Sequence, residues 1–145
     1  MTDRAVDPAA LQVSPIVQDL PAAAVAEFAE RGMALALKGS DPLLFQDVRG
    51  GLGLFIVLTG SIGVYRRDDS GAEQPLATLG PGDCLGEYSL LDGQPISATA
   101  RALEDTRLFF LPSGQFRTVT ERDPQLGCLL YRNLARYLVR RLRLQ

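Results

Sequence analysis

From Met33 to Pro112 the chain is a succession of short apolar runs, MALAL, LLF, LFIVL, SIGVYR, LATL, SATARA and RLFFL, each cut off by Gly, Pro, Asp or Ser. Runs this short cannot make core helices. At this spacing they read as roughly eight strands in an all-β sandwich or barrel. A stretch of 80 residues given over to one such unit leaves a 145-residue chain room for a single domain and a few flanking helices.

Two of the interruptions carry turn chemistry. In FIVLTGSIGVY, Thr59-Gly60 between two β-rich runs predicts a tight hairpin in which Gly60 supplies a positive φ. In LATLGPGDCL, Pro81 presets φ and Gly82 takes the left-handed corner. The charged segment RRDDSGAEQ predicts a solvated hairpin tip between Tyr65 and Pro75.

On either side the periodicity becomes helical. DLPAAAVAEFAERG predicts a helix with Asp19 as N-cap, Pro21 in the first turn and Gly32 as the stop; Val25, Phe28 and Ala29 form its apolar face. SGQFRTVTERD predicts a second helix. Asp123-Pro124 opens a third, in which Leu126, Leu129, Leu130, Leu134, Tyr137, Leu138 and Leu142 keep i, i+3, i+4 spacing while Arg132, Arg136, Arg140 and Arg143 share another face. The expected layout is a mobile N-terminal segment over 1–18, then one domain over 19–145, with the β unit at about 33–112 and C-terminal helices at about 113–145.

Composition narrows the chemistry. The chain has no histidine, which removes the commonest general base, Ser-His and Cys-His nucleophile pairs and His-ligated metal sites. Two distant cysteines, Cys84 and Cys128, cannot build a zinc site and read as free thiols in a reducing cytoplasm; Lys38 is the one lysine. MTDRAVDPAALQV has no apolar core and is no signal peptide, and no run approaches the ~20 apolar residues of a membrane helix. Binding without catalysis is the expectation. A small metal-dependent β-roll enzyme of the cupin sort would lack the histidines its site needs. Charge is uneven: residues 1–131 carry ten basic and seventeen acidic groups, a balance of −7, whereas residues 132–145 carry five arginines and no acid. The overall acidity argues against nucleic-acid binding.

LGPGDCLGEYSLLDGQPISATARALEDTRLFFL, with the upstream KGSDPLLFQDVRGGLGLFIVLTGSIGVYRR, resembles the cyclic nucleotide-binding domain family, and the resemblance runs from about Pro21 to the end. It implies a mainly β fold with flanking helices: a double-stranded β-helix, or jelly-roll-like β-roll, with an N-terminal helix and C-terminal helices. It also implies a regulatory, signal-transducing role, with no cofactor and with cyclic AMP or cyclic GMP as the possible ligand.

The family's phosphate cassette maps onto Gly86 to Ser97, giving Gly86, Glu87, Tyr88, Ile96, Ser97 and Ala98 as the candidate nucleotide site. A short helix starting near Glu87 presents unpaired amides and a positive dipole end to an anion, and Gly86 has no side chain to obstruct approach. By resemblance, Glu87 accepts from a ribose hydroxyl. Residues alone also allow Gly86 as a strand-to-turn joint and Glu87 as a first-turn helix carboxylate. Counting from Glu87, the family's phosphate-clamping arginine falls on Ile96. A bond to a charged group is worth roughly 1.5–3 kcal/mol, so its loss weakens a phosphodiester ligand about ten- to a hundred-fold. Arg101 lies about 13 Å further along an extended chain, too far to substitute. The cassette therefore reads as degenerate, with weak or altered binding.

In the family's bacterial regulators the last helix is the dimer interface. Leu126, Leu130, Leu134, Tyr137, Leu138 and Leu142 are the candidate seam for a homodimer or partner protein. The same stripe can instead pack on the chain's own roll, with different residues committed to each contact. A chain stopping at Gln145 leaves no room for an appended DNA-reading motif. The alternative function is a ligand-free interaction or dimerisation module using this helix.

Overall fold

The computed structural model describes residues 5–44, 46–47 and 53–144. The Gly-rich turn at Gly50-Gly51 and the end of the LLF run at Phe45 lie outside the described residues. The elements are α1 (Ala22–Arg31), β1 (Met33–Leu37), β2 (Pro42–Leu44), β3 (Gly53–Thr59), β4 (Ile62–Arg67), β5 (Glu73–Leu79), β6 (Cys84–Leu85), α2 (Glu87–Asp92), β7 (Thr99–Ala102), β8 (Thr106–Pro112), α3 (Ser113–Arg122) and α4 (Pro124–Arg143). The strands form two four-stranded antiparallel sheets, ordered β1-β8-β3-β6 and β2-β7-β4-β5. The expected mainly β roll with flanking helices is the observed one.

Strand β3 explains the geometry. Successive side chains point to opposite faces, and Leu54 and Ile56 pack into the helix-side core with Phe28, Phe109, Leu130 and Leu134. Phe55 and Val57 turn the other way, into the inter-sheet core with Ile62, Leu79, Leu85, Ile96 and Leu108. Burial on both faces is why β3 and β8 read as unbroken apolar runs rather than as alternating ones.

Three local expectations are corrected. Thr59-Gly60 is not a hairpin: Gly60 has φ +93, but β3 pairs with β6 and β8 whereas β4 pairs with β5 and β7. The chain therefore changes sheets there. Gly60 is required because a Cβ would stand 2.4 Å from Thr106 Oγ1. Asp19 does not cap α1, whose N-cap is Pro21; its carboxylate instead pairs with Arg132 at 2.9 Å. And residues 5–18, expected as part of a mobile segment, are packed on the domain. Pro8–Val13 and Pro15–Val17 are short 3-10 helices that bury Leu11, Ile16 and Val17 in the helix-side core, so the domain begins before residue 19. Asn133 fastens them, donating to the Ile16 and Gln18 carbonyls at 2.8 Å each.

The other local signals hold. Gly80 to Asp83 is a turn with Gly82 at φ +93, closed by Asp83 N–H donating to the Gly80 carbonyl at 3.0 Å. Asp68–Ala72 is the tip of the β4–β5 hairpin. Gly32 caps the end of α1, and the Asp123 carboxylate caps α4 by accepting from Leu126 N–H at 3.2 Å.

Candidate ligand site

Strand β6 is two residues long and ends where Gly86 turns the chain into α2. Gly86 sits at φ +81, and an added Cβ would lie 2.2 Å from the Gly53 carbonyl oxygen. Both the left-handed backbone and the close approach exclude any other residue. The first helical bond of α2 runs from Leu90 N–H to the Gly86 carbonyl at 3.0 Å, so the amides of residues 87–89 precede it. Gly93, at φ +70, ends the helix after less than two turns. The Gly-Glu start and the Asp-Gly break are thus the two ends of one six-residue helix.

Beside it lies a cavity of about 590 Å³, within the range typical of small-molecule sites. The inner face of the second sheet carries Ala77 and Ala100 there, with Ala98 in the loop before β7, and these small side chains leave the volume open. All six candidate cassette residues, Gly86, Glu87, Tyr88, Ile96, Ser97 and Ala98, line it. Ile96 is buried in the inter-sheet core, and its carbonyl accepts from Asp47 N–H at 2.8 Å. Ser97 and Tyr88 are exposed at the rim.

Glu87 is 9% exposed and is the one carboxylate among the described residues lining the cavity. Burial is the main reason its carboxyl is pushed up to about 7, with the Asp83 carboxylate adding to the rise. Its own backbone N–H and the Arg141 guanidinium oppose the shift without cancelling it. The neighbouring Cys84 thiol is pushed well up by burial and then by Glu87.

Arg101 is settled elsewhere. It stacks over the Tyr65 ring at 4.1 Å and is paired with Glu73, whose carboxyl it holds below the ordinary value by hydrogen bonding. The face it occupies is the outer one of the second sheet, since Ala100 and Ala102 on either side point into the core. Distance along the strand and side-chain direction both exclude it from the cavity.

Helix α4 closes the cavity through Tyr137, Leu138 and Arg141, with Leu144 just beyond its end. Sequence reasoning missed Arg141. Periodicity puts Arg132, Arg136, Arg140 and Arg143 on one face of α4 and leaves Arg141 unassigned, yet residue 141 continues the Leu130, Leu134, Tyr137 spacing and so belongs to the face turned toward the roll. That spacing was the available signal. The candidate seam divides accordingly. Leu126, Leu130, Leu134 and Tyr137 are buried in the chain's own core, Leu138 is half-buried, and only Leu142 is freely exposed, at 63%. The first four are therefore not interface residues; the apolar stripe is consumed by docking α4 on the roll.

The sequence model described as the cyclic nucleotide-binding domain matches residues 35–123. The chain belongs to the cyclic nucleotide-binding domain family. Among curated relatives, the chain is 41% identical over 104 residues to the cyclic AMP receptor protein of Thermus thermophilus, an alignment covering 70% of this chain and 45% of that protein. The crystal structure of the Thermus thermophilus catabolite activator protein superposes with a TM-score of 0.78 at 35% identity, over 90% of this chain and 59% of that one. A cyclic nucleotide-binding domain from Methylobacillus flagellatus gives a TM-score of 0.88 over 99% of this chain and 83% of its own; at 24% identity it speaks to the fold alone. This family domain thus spans less than half the length of the cyclic AMP receptor protein it matches.

Proposed function

We propose that this chain is a non-catalytic regulatory domain that receives a cyclic nucleotide, or a ligand of similar size, in the cavity between α2, the second sheet and α4, with weakened or altered recognition of the phosphate. The observation that carries this reading is Ile96. It lines the cavity where the family's pattern expects the phosphate-clamping arginine, while Gly86, Glu87 and the α2 amides keep the cradle geometry. The cavity volume, the buried Glu87 and a long helix closing the site support the ligand assignment. The name of the Thermus relative, a cyclic AMP receptor protein, makes cyclic AMP the first ligand to try. A cytoplasmic setting and self-association through α4 complete the reading, and it gives the chain no nucleic-acid contact of its own.

Calorimetry with cyclic AMP and cyclic GMP tests it. Dissociation constants between about 10 μM and 1 mM are expected, reflecting one missing charge-assisted clamp. Sub-micromolar binding overturns the altered recognition, and the absence of heat at millimolar nucleotide overturns the ligand assignment.

A further inference from the structure

Ile96 removes a cation from the strand side of the cavity, but the helix side supplies one. We infer that Arg141 of α4 holds the anionic group of the ligand, so that the charge is received from the helix wall rather than from the strand at residue 96. The inference deepens the proposed function and rests on it for the nucleotide; the anion site itself does not.

Four observations lead to it. Arg141 lines the cavity, and its side chain is 28% exposed, in contrast to the solvated Arg140 and Arg143 beside it. Its position is fixed from one turn away. The buried Tyr137 hydroxyl accepts from Cys84 N–H at 3.0 Å and donates to the Cys84 carbonyl at 3.3 Å, which sets the register of α4 over β6 and the start of α2.

The third observation is that Arg141 is only loosely engaged. Its one ion pair among the described residues is with Asp83 Oδ1 at 3.9 Å, the outer limit for such a contact. The other oxygen of Asp83 is already occupied, accepting from Gly80 N–H at 2.9 Å in the turn. A guanidinium with most of its five donors unspent, facing a cavity, is suited to a planar or tetrahedral oxyanion.

The fourth is the balance of charge around the hollow. Among the described residues lining it, Arg66 and Arg141 are the cations and Glu87 is the one carboxylate. Arg66, on β4, is exposed. With Glu87 ionised the wall carries net positive charge, and with Glu87 protonated it carries more. Leu44, Val64, Leu79 and Ile96 give the hollow an apolar floor, and Ser89 and Ser97 add uncharged hydroxyls. The ligand class that fits is an apolar or planar body bearing one oxyanion, with phosphodiester and carboxylate sharing that chemistry.

The test uses the full chain and three probes: cyclic AMP, adenosine as the same body without charge, and inorganic pyrophosphate as a bare anion. The Nε–H resonance of Arg141 is followed by NMR in each titration. Cyclic AMP and pyrophosphate are expected to move it and adenosine is not. In calorimetry, Arg141→Gln is expected to weaken cyclic AMP at least ten-fold and leave adenosine unchanged, while Arg141→Lys retains most of the affinity. Cyclic AMP binding to Arg141→Gln as to the parent chain overturns the inference, as does an Arg141 resonance that no anion moves; the second readout needs no variant to fold. If pyrophosphate moves the resonance and no nucleotide binds, the nucleotide reading fails and the anion site stands. A carboxylate analogue of the nucleotide that moves Arg141 as cyclic AMP does would assign the site to oxyanions generally, and one that does not would restrict it to phosphates.

Discussion

The hydroxyl of Tyr137 grips the backbone of Cys84 on both sides, accepting its amide at 3.0 Å and donating to its carbonyl at 3.3 Å. One buried phenol thereby joins the middle of the longest helix to the two-residue strand that launches the candidate cassette. Tyr137→Phe keeps the packing and strips the polar contact, leaving a buried peptide group short of a partner. The expected cost is about 1–3 kcal/mol in denaturant unfolding, with faster amide exchange at Cys84. Unchanged exchange at Cys84 would show that the helix is held by apolar packing alone.

Ile96 and Glu87 predict a restoring substitution. Ile96→Arg replaces a buried side chain that borders the open cavity, so the new guanidinium can extend into the hollow. The expected gain in cyclic AMP affinity is about ten- to a hundred-fold, from one charge-assisted clamp. The loss of inter-sheet packing is expected to lower stability by about 1–3 kcal/mol. Calorimetry beside thermal unfolding measures both. A variant that folds and binds no better would mean that residue 96 does not face the ligand's charge.

Much of this architecture was legible in local sequence, and the misreadings share a cause. Turn chemistry shows that Gly60 bends the chain, but not whether the next strand pairs with the last or crosses to a second sheet; that depends on β8, nearly 50 residues on. The cassette was readable because glycines, a carboxylate and a helix break lie within a dozen consecutive residues. The N-terminal segment was not, because Leu11, Ile16 and Val17 lie on 3-10 turns and follow neither the helical nor the strand period. In α4 the stripe was correct and its partner was not: periodicity identifies a buried face without identifying what buries it.

Glu87 gives the fold a pH dependence of defined sign. Its carboxyl is raised to about 7 from an ordinary value near 4.5, with Asp83 and the Cys84 thiol on β6 and its turn, and Arg141 and Tyr137 on α4, facing it. A raised acid favours the native state at low pH. Its contribution is fully present below about 4.5, is lost as pH rises through the interval up to 7, and is absent above that. Glu87→Gln removes this dependence, and the variant is expected to gain on the parent chain between pH 5 and 8 by at most about 3 kcal/mol. Unfolding curves at several pH values, compared pairwise, isolate the effect from carboxylates such as Glu73 that titrate in the opposite sense. A constant difference across that range would place the Glu87 carboxyl at its ordinary value.

The outer face of α4 predicts where a second copy docks. Cys128, Tyr131, Ala135, Leu138 and Leu142 recur at alternating steps of three and four, the spacing of a two-stranded coiled-coil seam; Cys128, Tyr131, Ala135 and Leu142 are exposed, and half-buried Leu138 borders the core. Tyr131 is 47% and Leu142 63% exposed, and Val139 flanks them. In a parallel pair Cys128 would meet its own copy across the two-fold axis, while the buried Cys84 stays unreactive. Mild copper-catalysed oxidation is therefore expected to give a covalent dimer through Cys128, absent in Cys128→Ser. Leu142→Glu is expected to abolish the dimer in light scattering with the unfolding free energy within about 0.5 kcal/mol of the parent chain, as for other exposed substitutions. Leu134→Glu, on the inner face, is expected to unfold the domain by burying an unpaired charge. A chain that remains monomeric at 100 μM (about 1,000 times the concentration a stable dimer needs at ~100 nM affinity) would assign the stripe to some other partner.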